Sequence, residues 1–158
     1  MINIAIIDDD KTFCDDFKEQ IKKIDNSYNT DCYYDINTFL ESVSSYNIAI
    51  IDIMLGKDNG IDIASAITEK YPNIKIIFIS VEQDFFQDVY SVNHLYFLVK
   101  PISNEQLKQA LSVCCSEINK QTLYTKLGSG TTAINLNDVS YFEGILKKTI
   151  VHYVNAPK

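Results

Sequence analysis

The chain contains no arginine; all 14 of its cationic side chains are lysine. Together with abundant Ile and Asn, that absence reads as the codon usage of an AT-rich genome and bears on origin rather than chemistry. No apolar run approaches the roughly 20 residues that a bilayer-spanning helix needs, so no membrane element is expected. Met1-Ile2-Asn3 lacks the basic opening of a signal peptide, and a cytoplasmic location is expected. Cys14, Cys32, Cys114 and Cys115 form no CxxC pair, whereas metal-binding cysteines come at paired spacings. Buried thiols are therefore the expected state of all four. At 158 residues the chain is too short for three domains. Its 46% apolar and 22% charged residues are the balance of a chain that buries one core.

Charge is unevenly placed. Residues 1–119 carry nine Lys against nineteen Asp and Glu, a net of −10, while residues 120–158 carry five Lys against Asp138 and Glu143, a net of +3. An acidic body argues against nonspecific binding of nucleic acid or anionic membrane by the N-terminal part, leaving only the tail for such contact.

Five short apolar, β-branched runs occupy the acidic part: Ile2–Ile7, Asp31–Tyr34, Ile48–Ile51, Ile74–Ile79 and Leu95–Val99. Unbroken stretches such as Ile4-Ala5-Ile6-Ile7 fit strands buried on both faces. A segment of helical period follows each. Phe13, Phe17, Ile21 and Ile24 form one apolar stripe after the first run, with Asp10 or Thr12 as its cap. Further helices are expected over 35–43, 60–70, 83–92 and 103–119, punctuated by Gly60, Asn73 and Pro101. Strands alternating with helices imply right-handed crossovers and a parallel sheet covered on both faces. The expected fold of residues 1–119 is thus α/β, a doubly wound (βα)5 domain. Residues 120–158 change character: Leu123–Leu127, Thr131–Leu136 and Thr149–Val154 read as short antiparallel strands, with turns at Gly128-Ser129-Gly130 and Glu143-Gly144. This β-rich segment is too short to build much core of its own.

Ligands of an open parallel sheet bind beyond the carboxyl ends of the strands. The residues at those ends are Asp8, Asp9 and Asp10 after the first run, Asp52 after the third, Ser80 after the fourth and Lys100 after the fifth. Asp10 reads as a helix cap. The others would gather three carboxylates, a hydroxyl and an ammonium in one crevice, an anionic pocket suited to Mg²⁺, which takes oxygen ligands and bridges carboxylates to phosphate oxygens. A carboxylate placed there can attack phosphorus to give an aspartyl-phosphate, with Lys100 and Ser80 holding the phosphoryl oxygens.

Ile7-Asp8-Asp9, Asp52 in Ile51-Asp52-Ile53-Met54-Leu55-Gly56-Lys57-Asp58-Asn59-Gly60, Ser80, and Phe97-Leu98-Val99-Lys100-Pro101 together resemble the receiver domain of bacterial response regulators, over about residues 1–119. The resemblance implies a flavodoxin-like strand order 2-1-3-4-5 and phosphorylation by a sensor histidine kinase. It also implies roles: Asp52 as phospho-acceptor; Asp8, Asp9, Asp52 and the Met54 carbonyl as Mg²⁺ ligands; Ser80 as switch hydroxyl; Phe97 as switch aromatic; Lys100 as the phosphate-contacting lysine. Lys100–Pro101 would be the family's cis peptide, and Gly60 would end the loop after the acceptor. Two positions depart from the usual pattern. Val81 stands where a small residue is common and narrows access to the phosphoryl group, and Phe97 brings no hydroxyl where Tyr is frequent. A homodimer through the face of the fourth helix, fifth strand and fifth helix is the expected readout. Such a protein is a self-dephosphorylating switch and not a turnover enzyme.

The tail, especially Ile134-Asn135-Leu136-Asn137-Asp138-Val139-Ser140-Tyr141-Phe142-Glu143, is similar to the opening strands of a LytTR-type DNA-binding domain. About the first third of such a domain is present, so DNA is the expected partner of a longer protein, and weak or no DNA binding is expected of this chain. Two other readings stand beside a transcription regulator. A haloacid-dehalogenase-like phosphatase would need a second Asp two residues after the nucleophile, where this chain has Met54. A stand-alone receiver would serve as phosphate sink or protein-docking module.

Overall fold

A computed structural model describes residues 1–82, 85, 88–120, 122–127, 130–145 and 148–154. The chain parts into two compact units, Met1–Cys114 and Cys115–Lys158.

The first unit is built on five parallel strands, β1 (Asn3–Ile7), β2 (Asn29–Tyr33), β3 (Ile48–Asp52), β4 (Lys75–Ser80) and β5 (Tyr96–Val99), in the order β2-β1-β3-β4-β5. This is the expected doubly wound α/β arrangement. The three central strands are the ones whose sequences are continuously apolar: Ile4–Ile7, Ile48–Ile51 and Ile76–Ile79 are fully buried, as strands covered on both faces must be. The edge strands are mixed, with Asn29, Thr30, Asp31 and Tyr33 in β2 and Tyr96 and Phe97 in β5. β2 starts earlier than the apolar pattern suggests because pairing with β1 recruits Asn29 and Thr30, opposite Asn3 and Ile4.

The helices are α1 (Lys11–Ile24), α2 (Ile36–Leu40), α3 (Gly60–Lys70) and α4 (Asn104–Lys120). Each begins where a side chain satisfies main-chain donors that lack an intrahelical partner. The Asp10 carboxylate accepts from Thr12 and Phe13, that of Asp35 from Thr38, and the Asn59 side-chain oxygen from Ile61. At α4, Ser103 and Gln106 cap each other reciprocally, the Gln106 N–H donating to Ser103 Oγ and the Ser103 N–H to Gln106 Oε1, a capping box. Replacing Asp10 with Ala leaves two donors without an acceptor. A loss of about 1 kcal/mol is expected, readable as a lower midpoint in urea with an unchanged slope.

Two expected helices differ among the described residues. Over 35–43 the helix stops at Leu40, and a 3₁₀ turn, Val43–Ser45, follows. Over 83–92, residues 83, 84, 86 and 87 lie outside the described ones, and the described remainder holds a 3₁₀ turn, Asp88–Ser91. Val89, Ser91 and Val92 are weak helix formers, and a short turn already buries both valines. The apolar stripe of α1 also lies slightly differently: Cys14, Phe17 and Ile21 are buried, while Phe13 and Ile24 are half-buried. All four cysteines are thiols, Cys14 and Cys114 buried, Cys32 and Cys115 half-buried.

The second unit holds two antiparallel ladders, β6 (Thr122–Leu127) with β7 (Gly130–Asn135) and β8 (Val139–Ile145) with β9 (Lys148–Tyr153). The expected turn at Glu143-Gly144 is not one. Both residues lie inside β8, opposite Ile150 and Thr149, and the pairing runs on to Ile145 opposite Lys148. No helix among the described residues is long and apolar enough to cross a membrane.

Candidate functional site

The carboxyl ends of β1, β3, β4 and β5 deliver four polar residues to one place. Asp8 follows β1 and is fully buried, Asp52 ends β3 and is nearly so, Ser80 ends β4 and is fully buried, and Lys100 follows β5 and is half-buried. Main-chain hydrogen bonds hold these ends in the sheet: the Asp8 N–H donates to the Tyr33 carbonyl of β2, Ile53 N–H to Ile79 and Lys100 N–H to Ser80. The backbone therefore brings the residues together before any side chain contributes. The Lys100–Pro101 peptide is cis.

The ammonium of Lys100 sits between two carboxylates, its Nζ 2.6 Å from Asp8 Oδ2 and 3.0 Å from Asp52 Oδ2. Asp9, exposed at the mouth, completes the group: carboxylate oxygens of Asp8, Asp9 and Asp52 all lie within 4.8 Å of one another. The remaining acceptor capacity is used locally. Asp8 Oδ1 accepts from the Asp10 N–H at 2.9 Å and Asp52 Oδ1 from the Met54 N–H at 3.3 Å. Ser80 Oγ accepts from the Glu82 N–H at 3.1 Å.

Burial pushes the Asp52 carboxyl above the usual carboxylate range; its hydrogen bond with Lys100 pulls the other way, and the Asp8 charge adds to the rise. Burial alone would lower Lys100, but its hydrogen bonds to Asp8 and Asp52 outweigh that and hold the ammonium above its ordinary value. Lys100 is thus charged throughout the neutral range. Three carboxylates against one ammonium leave two formal negative charges. All the acidic donors are hard oxygens, a set that suits a hard divalent cation rather than a thiophilic one.

Two glycines shape the loop after β3. A Cβ on Gly60 would stand 2.1 Å from the Asp52 carbonyl oxygen, so the start of α3 packs against the main chain of β3 at a distance only glycine permits. Gly56 has φ +59°, in the left-handed region that glycine enters without strain. It turns the short ladder of Met54–Leu55 with Asp58–Asn59, next to Asp9.

Residues 4–112 of the chain match the family described as Response regulator receiver domain. The chain belongs to that family. Among curated relatives, the Sensory transduction protein LytT of Bacillus cereus is 26% identical over 114 residues, which covers 70% of this chain and 46% of that protein. The LytT protein of Bacillus anthracis is 25% identical over the same length. The chain spans about half the length of these relatives. The fold recurs in a CheY-like receiver domain protein of Methanospirillum hungatei (TM-score 0.66, 19% identity, 76% of this chain and 98% of that one). It recurs again in the response regulator protein TrrA of Thermotoga maritima, solved in complex with Mg²⁺-BeF (TM-score 0.64, 22% identity, 72% and 99%).

Within this receiver domain, Asp8, Asp9, Asp52 and Lys100 converge as the sequence suggests, and Ser80 lies on the adjoining strand end. Asp10 stays outside the cluster as the cap of α1. Phe97 is half-buried against the apolar core. The Val81 side chain is 65% exposed beside that crevice. Two contacts escape a reading of the sequence. The Phe13 ring lies under Lys100, with Nζ 4.0 Å from its centroid, and the Cys14 thiol donates to the Asp8 carbonyl at 3.6 Å. Burial pushes that thiol far above the ordinary range, so Cys14 is a packing residue. Both belong to the α1 stripe, where apolar spacing alone marks them as core.

Proposed function

We propose that this receiver domain is a phosphorylation switch of a two-component system, in which Asp52 takes a phosphoryl group from a sensor histidine kinase. The observation that carries the reading is the Lys100 ammonium held between Asp8 and Asp52, with Asp9 completing an acidic cluster. In transfer, an Asp52 carboxylate oxygen forms the bond to phosphorus as the bond from phosphorus to the donor histidine nitrogen breaks, and the imidazole leaves. Asp8, Asp9, Asp52 and the Met54 carbonyl would hold Mg²⁺, which supplies charge neutralisation between carboxylates and phosphoryl oxygens. Lys100 then exchanges its contact with Asp52 for a phosphoryl oxygen while keeping Asp8. Ser80 turns its hydroxyl proton to a second oxygen, and Phe97 follows toward the space left behind. The outcome is a shift between two conformations, read out through dimerisation or through a DNA-binding domain that residues 120–158 would begin. The chemistry is a single covalent event per switch rather than steady turnover.

The test is labelling by acetyl phosphate followed by intact mass. With Mg²⁺ present a single phosphoryl group is expected, and chelation of the metal with EDTA is expected to cut the rate by orders of magnitude. No mass increment in the presence of Mg²⁺ would overturn the reading.

A further inference from the structure

We infer that Phe13 is a positioning residue for Lys100: its ring face holds the ammonium over the acidic cluster through the change in partners that phosphorylation brings. The inference rests on the phosphorylation reading above and goes beyond it by adding a residue from outside the acidic crevice. Phe13 stands in the first turn of α1, where its own N–H is one of the two donors held by the Asp10 cap. The backbone that carries the ring is therefore fixed directly after the acidic pair. The ring is also fixed from below by Phe17, one turn on and fully buried, with centroids 5.0 Å apart and planes at 23°. Phe13 itself is half-buried, with one face against Lys100.

The neutrality of the ring is the reason it matters. Lys100 Nζ has three donors, and the carboxylates of Asp8 and Asp52 each accept one. Both contacts vary with the state of the site: Asp52 is the group that takes the phosphoryl, and Asp8 shares its oxygens with any bound cation. The negative face of an aromatic ring attracts an ammonium within about 6 Å, and the ring carries no titratable proton and no net charge that phosphorylation or a metal would alter. Of Asp8, Asp52 and Phe13, the three described side chains set against Lys100 Nζ, the ring is the one whose attraction stays constant across the cycle. It limits the arc through which Nζ swings when Asp52 changes charge, so that the ammonium meets the incoming phosphoryl group already aimed.

Three proteins test this: wild type, Phe13→Leu, which keeps apolar packing on Phe17 but has no ring face, and Phe13→Tyr, which restores the face. In side-chain NMR, the ε-methylene protons of Lys100 are expected to be ring-current shifted in wild type and Phe13→Tyr and unshifted in Phe13→Leu. The initial rate of labelling by acetyl phosphate with Mg²⁺ is expected to fall about three- to tenfold in Phe13→Leu and to return to within about twofold of wild type in Phe13→Tyr. The urea midpoints separate packing from positioning, because a packing role alone predicts that rate follows stability across the three proteins. Equal rates in wild type and Phe13→Leu with the ring-current shift lost would overturn the inference while leaving the phosphorylation reading intact. So would a Phe13→Tyr protein as slow as Phe13→Leu. A wild type that takes no label at all would overturn the phosphorylation reading and the inference with it.

Discussion

Asp52→Asn is expected to abolish labelling by acetyl phosphate and, at neutral pH, to raise the stability of the domain. The first effect is chemical: the amide has no carboxylate oxygen to bond to phosphorus, and Asp8 and Asp9 lack the position at the end of the central strand β3. The second follows from electrostatics. Asp52 is buried beside Asp8, and its carboxyl is held above the usual range by burial first, against the opposing pull of Lys100. With the folded value above the unfolded one, the folded state binds more protons between the two, and stability falls as pH rises through that window. Above it, the ionised Asp52 is a standing cost. Asn keeps the volume and an oxygen that accepts from Lys100, while removing the charge facing Asp8. A gain of about 1 kcal/mol at pH 7 is expected, the usual scale of a trade between activity and stability, or a few degrees in melting temperature. The gain should shrink toward pH 3, where wild type is protonated as well. Thermal melts across pH check both the sign and the window, and a variant less stable than wild type at pH 7 would contradict the account.

Gly60→Ala carries the larger structural penalty. The added methyl would lie 2.1 Å from the Asp52 carbonyl oxygen, and 3.0 Å from both the Asp52 carbonyl carbon and Ile51 Cγ2. Those first two neighbours are main chain of a central strand, which has no free rotamer to yield. Relief requires moving either the start of α3 or the end of β3. The Gly60 N–H also donates to the Ile53 carbonyl at 2.9 Å, so the loop cannot slide away without losing that bond. Overpacking of this kind costs about 3 kcal/mol or more. Because the displaced atoms belong to Asp52, slower phosphoryl labelling should accompany the loss in folded protein. Denaturant titration reads the first effect and labelling under fully native conditions reads the second.

How much of this was legible in the sequence depends on the range of the interactions involved. The central strands were legible because a strand buried on both faces must be apolar at every position, and Ile4–Ile7 and Ile76–Ile79 have that form. The acidic residues, Ser80 and Lys100 were legible because chain order places them at the ends of such strands. Asp10 was legible as a cap from its place directly before an apolar stripe. The opening of β2 was not, since Asn29 and Thr30 join the sheet only because β1 offers them partners. Nor was the passage of β8 through Glu143-Gly144, where a glycine common in turns sits in an open strand. The Phe13 contact was hidden for a third reason. Its partner is far along the chain, and helical spacing makes every apolar residue of α1 look alike.

The pairing of Lys100 with Asp8 and Asp52 spans 92 and 48 residues of chain. That separation has a consequence for the history of each molecule. Chain segments this far apart meet only after the loops between them have closed, and parallel sheets close such loops slowly. The ammonium that faces Asp8 and Asp52 in the folded domain follows β5, at the edge of the sheet. During synthesis, when N-terminal segments emerge first, the carboxylates precede their cation by α3, β4 and β5. The cluster of charges is therefore complete only once β5, the last strand of the parallel sheet, has been made.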